Sequence, residues 1–244
     1  MKKLRILFVG LVLIGTAPVV KGQTVGWQVR SGIGIAGLVG GVSNIDSRSG
    51  WTVGGGADIA LSHNGVWRLQ PMLQYAQKGW TFDGYFGDEM IMPAHYATRL
   101  SYIELPVMAA ARLRIGKEAF ITFRLGPYLS CGLNAKTKMV IREMEYDHTF
   151  GNHFSEACDF WDCAYDGENR HVSYPQFRRW DFGVAQGIDL TVNHVIIGLN
   201  SSFGLTPLAD VGFMGNPVGN ILNSLLFGPH PKNFTMGVSL GWQF

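Results

Sequence analysis

From 233 to 244 the sequence alternates without a break. Phe234, Met236, Val238, Leu240, Trp242 and Phe244 hold one parity; Asn233, Thr235, Gly237, Ser239, Gly241 and Gln243 hold the other. A strand sends successive side chains to opposite faces, so this segment has one apolar face and one polar or bare face. A sheet in water can show the same alternation. Length favours a bilayer, because a tilted spanning strand needs about 9–11 residues, and the run closes on an aromatic.

The opposite end of the sequence reads as an address. Met1-Lys2-Lys3-Leu4-Arg5 is basic, residues 6–14 are apolar apart from Gly10, and Val20-Lys21-Gly22 closes the segment. This is the layout of a secretory signal peptide over 1–22, which leaves 23–244 as one barrel domain. The alternative, a membrane anchor, requires about 20 apolar residues, more than the run supplies. No later apolar run has the length of a membrane helix. Yet 47% of residues are hydrophobic and 16% are charged, with 32 glycines, against about 25% charged in an ordinary soluble domain. Strands that cross a bilayer dilute their apolar residues by alternation in this way. A net charge of +2 gives no reason to expect nucleic acid.

The two-residue period recurs in seven earlier segments, beginning near Val25, Trp51, Trp67, Tyr102, Ile121, Trp180 and Val195. With the last segment they predict an all-β fold, a single transmembrane antiparallel up-and-down barrel of about eight strands. Residues 62–65, 115–118 and 193–194 are tight turns, the first carrying an Asn-Gly hairpin signal. Longer links are expected at 37–50, 79–98, 139–177 and 207–231. Short and long connections alternate, so both termini are expected in the periplasm and the four long links outside.

Placing the apolar face against lipid turns Arg30, Asp58, Arg68, Lys78, Glu104, Arg112, Arg114, Arg124, Lys136, Asp181 and Asp189 inward. Facing lipid at mid-bilayer, each Arg or Lys would cost about 2–4 kcal/mol. Inside, opposite charges can pair. Eight strands enclose a space just wide enough for side chains, so the expected interior is a charged plug; a small porin-like channel is the alternative.

Several short runs also carry a resemblance. Leu100-Ser101-Tyr102-Ile103-Glu104-Leu105-Pro106-Val107 resembles the Tyr-Leu-Glu-Ile-Pro-Leu strand of the PorT-like outer-membrane β-barrel family. Leu69 to Gly79, containing Tyr75-Ala76-Gln77-Lys78-Gly79, is similar to that family's strand ending in Tyr-Ser-x-Lys-Gly. Gly126-Pro127-Tyr128-Leu129, Asp181-Phe182-Gly183 and Ser202-Phe203-Gly204-Leu205-Thr206 fall in the family's order. Gln74 stands where the family's third strand would carry an acid. The resemblance implies an outer-membrane barrel of a Bacteroidetes-type bacterium, some relatives of which assist secretion or gliding machinery. It also implies that barrel-assembly machinery reads the terminal aromatic Phe244.

Function is then expected on the outer links. The link at 139–177 holds Cys158 and Cys163, and an oxidising compartment makes a disulfide between them the expected reading. A zinc site using His148, His153 and both cysteines is the alternative, though its spacing fits no standard pattern. Cys131 falls on the lipid face. The link at 207–231 is apolar for an outer loop. Phe213, Ile221, Leu222, Leu225, Leu226 and Phe227 suit either a cap over the barrel mouth or a docking surface for another envelope protein. Aromatics at 79–98, including Trp80, Phe82 and Tyr96, are expected in the outer girdle. The remaining expected partners are outer-membrane lipid and lipopolysaccharide. No Gly-x-Ser-x-Gly or phosphate-cradling loop is present, and no serine and histidine share a strand face at a usable spacing. No catalytic, metal or cofactor site is therefore expected. A lipid-modifying enzyme is the remaining, weaker reading.

Overall fold

The computed structural model describes residues 24–40, 45–86, 92–141, 146–149, 151–155, 158–163, 169–174, 176–209 and 230–244. The proposed leader at 1–22 lies outside them, as does nearly all of the link at 207–231.

Eight strands form a closed antiparallel ring: β1 (Val25–Val39), β2 (Ile45–Ala60), β3 (Trp67–Phe86), β4 (Met92–Arg114), β5 (Ala119–Ile141), β9 (Trp180–Val192), β10 (Val195–Gly204) and β11 (Lys232–Gln243). Each pairs with its neighbours in chain order, and β1 pairs with β11 to close the cylinder. Three short strands, β6 (Tyr146–Thr149), β7 (Cys158–Cys163) and β8 (Asn169–Tyr174), lie in the link between β5 and β9. β6 folds back to pair antiparallel with the end of β5, and β7 pairs with β8. The connections β2–β3, β4–β5 and β9–β10 are tight and share one end with both termini. Asn193 and Gly65 take the left-handed backbone that such turns require.

The apolar parity faces outward. Ile33, Leu125, Ile188, Leu199 and Leu240 are all exposed on the outer wall, at positions where a bilayer supplies the covering that water cannot. Aromatics bound this belt. Trp27, Trp67, Trp242 and Phe244 lie outward at the end with the termini. Trp51, Tyr75 and Trp180 lie toward the other end, with the Trp51 and Tyr75 rings 4.9 Å apart.

The strands run longer than expected. Much of 37–50 and 79–98 is strand, and β3 and β4 stay paired from Trp67↔Ala111 to Phe86↔Met92. Beyond the belt, apolar residues change face. Trp80 and Tyr96 point into the cylinder and are buried, so they do not belong to the outer girdle. Lys136 also departs from expectation. The β4–β5 register slips beside Ser101/Tyr102, where Ser101 pairs with Asn134 but Tyr102 with Gly132. One extra residue reverses side-chain parity, so Ala135, Thr137, Met139 and Ile141 face inward and Lys136 and Lys138 outward.

Candidate functional site

The lumen is stacked in four layers. Nearest the termini, Asp58 is fully buried and collects donors from three strands. Arg68 Nε lies 2.6 Å from its Oδ1 and Gln70 Nε2 donates at 3.0 Å to the same oxygen. Arg112 and Gln243 each donate to Oδ2 at 2.8 Å.

One layer further in, Asp189 anchors two arginines. Arg30 grips it with both terminal nitrogens, at 2.9 and 2.8 Å, and also donates to Gln28 Oε1. Arg124 meets it at 2.7 and 2.8 Å and donates to Asn200 as well. Bare positions make the space: a Cβ at Gly187 would stand 2.7 Å from the Arg124 guanidinium.

In the third layer Lys78 is the cation. Its Nζ lies 2.6 Å from Glu104 and 3.8 Å from Asp181, and it faces the rings of Tyr102 and Tyr128 at 5.2 and 5.0 Å. Tyr128 and Asn233 donate to Asp181, and Gln74 donates to Glu104. Gln74 therefore donates a hydrogen bond to its neighbour where an acid would repel it. A cavity of about 120 Å³ lies between the second and third layers, bordered by Arg30, Arg124, Lys78, Glu104, Met72 and Met108.

The fourth layer is apolar. Trp80, Tyr96, Leu100, Tyr102, Met139 and Ile141 from the strands meet Phe154, Phe177, Leu208 and Ala209 from the links. Phe154 occupies the space above Gly132, where a Cβ would stand 2.5 Å from its ring. Asn152 ties this segment to the bulged strand, accepting from Ala135 N at 2.9 Å and donating to Leu133 O at 3.3 Å. His153 is buried beside it. Its Nε2 lies 3.0 Å from Thr137 Oγ1, its ring packs 4.9 Å from Phe177, and burial pushes its pKa down to about 4.

Arg30, Asp58, Arg68, Glu104, Arg112, Arg124, Asp181 and Asp189 thus meet in the lumen, with Lys78 among them. Arg114 does not. It is exposed at the mouth with the termini, its guanidinium 5.4 Å from the Phe120 ring centre. Cys158 and Cys163 stand at the two ends of β7, and their side chains lie outside the described residues. His153 packs in the cap against Thr137, the side chains of His148, Cys158 and Cys163 lie outside the described residues, and no metal-binding cluster occurs among the described residues. Cys131 is half-buried on the outer wall. Phe213, Ile221, Leu222, Leu225, Leu226 and Phe227 lie outside the described residues. Sequence reasoning offered a cap from 207–231 alone and missed the part that Phe154 and Phe177 of the 139–177 link play in it. The one legible signal of that part was apolar residues continuing on β3, β4 and β5 past the length that a bilayer needs.

Residues 20–210 match the model of the outer membrane protein β-barrel domain. The chain belongs to that family. Its place is the outer membrane, as the outward belt requires. Among solved structures, this outer-membrane barrel is similar to Ail, the attachment invasion locus protein of Yersinia pestis. That likeness has 13% identity, covers 92% of this chain and 100% of Ail, and has a TM-score of 0.39. It is also similar to Neisserial surface protein A, with 11% identity, 92% and 100% coverage and a TM-score of 0.43. No curated protein matches the sequence.

Proposed function

We propose that this barrel is a non-conducting, non-enzymatic scaffold that presents its long links outside the cell to dock another envelope or secretion-related protein, in the manner of PorT-like barrels of Bacteroidetes-type bacteria. The observation that carries the reading is the lumen. Among the described residues, three ion-paired layers and an apolar cap occupy it, which supports a filled interior that leaves function to the rim. In this reading 1–22 is a signal peptide, both termini are periplasmic and assembly machinery recognises Phe244. The apolar part of 207–231 is the docking element. Co-purification from detergent-solubilised native membranes tests it. A partner recovered with the unaltered barrel should be lost when Leu222, Leu225 and Phe227 become Ser. Recovery of no partner, or of the same one with the triple variant, would refute the docking claim.

The internal cavity supports a second reading, a narrow channel. Steady conductance in planar bilayers that changes on Arg124→Ala would establish it. Altered lipid A on mass spectrometry after incubation with the purified barrel would instead establish an enzyme.

A further inference from the structure

Arg48, Arg99 and Lys136 form a basic row on the outside of the barrel. Arg99 pairs across the strands with Lys136 on one side and with Gly79 on the other. Gly79 lies opposite the irregular stretch of β2 between Ser47 and Trp51, which holds Arg48. Having no side chain, Gly79 does not separate the two arginines, and Arg48 and Arg99 repel one another. Like charges directly opposite across a sheet are unfavourable. Arg48, Arg99 and Lys136 have no ion pair among the described residues, whereas the neighbouring Lys138 is paired with Asp147 at 2.6 Å.

The row has a fixed position relative to the apolar belt. On β2 it follows Trp51, on β4 it lies past Ile103 and Ser101, and on β5 it comes just after Leu133. The Trp51 and Tyr75 rings, tilted against one another, lie directly beneath it, with the Tyr75 hydroxyl donating to Ser101 at 2.8 Å. Beside Arg48, an outward groove runs between Ile33, Ile35, Trp51, Met236 and Val238 over the bare backbone of Gly34, Gly50 and Gly237. These three glycines pair side by side on β2, β1 and β11. Cations at the edge of an apolar wall, over aromatics and beside an apolar groove, complement one kind of molecule: a lipid with acyl chains and a phosphorylated headgroup.

We infer that Arg48, Arg99 and Lys136 bind the phosphorylated headgroup of an outer-leaflet glycolipid, with an acyl chain lying in the Gly34–Gly50–Gly237 groove. Guanidinium groups bind phosphate through paired, charge-assisted hydrogen bonds, and the bound anion removes the repulsion within the row. The inference rests on the proposed orientation, which puts this end of the barrel at the outer leaflet.

Native mass spectrometry of the full-length purified barrel, released from nanodiscs containing diphosphorylated lipid A or its dephosphorylated form, tests the site. The phosphorylated lipid should be retained and its dephosphorylated form should not. The Arg99→Gln/Lys136→Gln variant should retain roughly tenfold less, since it loses two charge-assisted contacts. Lys138→Gln, which removes a charge already paired, should retain as much as the unaltered protein. Both variants change outward side chains, and heat-modifiable electrophoretic mobility checks that they fold. Equal retention by the double variant would overturn the site. So would full displacement of the lipid by inorganic phosphate at matched concentration, which would assign the row to small anions. Orientation is read separately. A membrane-impermeant amine reagent on intact cells should modify Lys138 and spare Lys117, which is exposed in the β4–β5 turn. The reverse pattern would refute the orientation, whereas the retention assay judges the lipid site.

Discussion

Replacing Asp189 with Asn tests whether the lumen is held by its ion pairs. Asp189 is 1% exposed and holds Arg30 and Arg124 through four contacts of 2.7–2.9 Å. Asparagine keeps the volume and removes the charge. Breaking a buried pair costs about 3–5 kcal/mol, because the remaining charge stays desolvated. Two arginines lose their counter-ion here, but neither is stranded: Arg30 keeps Gln28 and Arg124 keeps Asn200. The expected loss is therefore about 3–5 kcal/mol in all, a single broken pair's worth. The reference is Lys138→Ala. It removes a pair whose side chains are 51% and 64% exposed, and it should cost no more than about 1 kcal/mol. Equilibrium urea unfolding in lipid vesicles, followed by tryptophan fluorescence and by heat-modifiable mobility, measures both. A double-mutant cycle with Arg124→Gln should give a coupling of about 0.5–3 kcal/mol. Asp189→Asn within about 1 kcal/mol of the unaltered protein would refute the claim that these charges bear on stability.

Two further perturbations probe the cap and the outer wall. His153, with its pKa held near 4, stays neutral in the folded cap while the unfolded chain takes up a proton below about 6.5. Cap stability should thus fall by up to about 1.4 kcal/mol per unit as pH drops from about 6.5 to 4 and level off below; hydrogen exchange at 151–155 reads this, and His153→Gln should flatten the profile. Leu240→Arg puts a charge on the lipid face and should cost about 2–4 kcal/mol near mid-bilayer, whereas the inward Ser239→Thr keeps the hydroxyl that accepts from Asn200 and should be mild; comparable losses in a vesicle-folding assay would show the faces reversed.

Most of the ring was legible, because alternation is a local property and each strand carries it. Arg30, Arg124 and Asp189 could be placed inside from parity alone. Which charge meets which could not, since the partners lie up to 159 residues apart in sequence. Lys136 shows why parity fails at a bulge. The backbone irregularity at Leu133–Ala135 is satisfied by Asn152, from a different part of the chain, and nothing in residues 130–140 records that. Trp80 and Tyr96 show a second limit. An apolar side chain on a barrel strand faces lipid only where there is lipid. Past the bilayer the same side chain belongs inside, and the sequence does not mark where the bilayer stops.

The cross-lumen ties have a consequence for biogenesis. Arg30 enters with the first strand and Arg124 with the fifth, and both wait for Asp189 on the sixth strand of the ring. Asp58, on the second, receives Gln243 only with the last. A half-built ring carries ionised groups whose counterparts have not arrived, so partial assemblies are penalised and the complete one is favoured abruptly. Insertion of this protein should behave as a single concerted event, with stalled forms too scarce to accumulate.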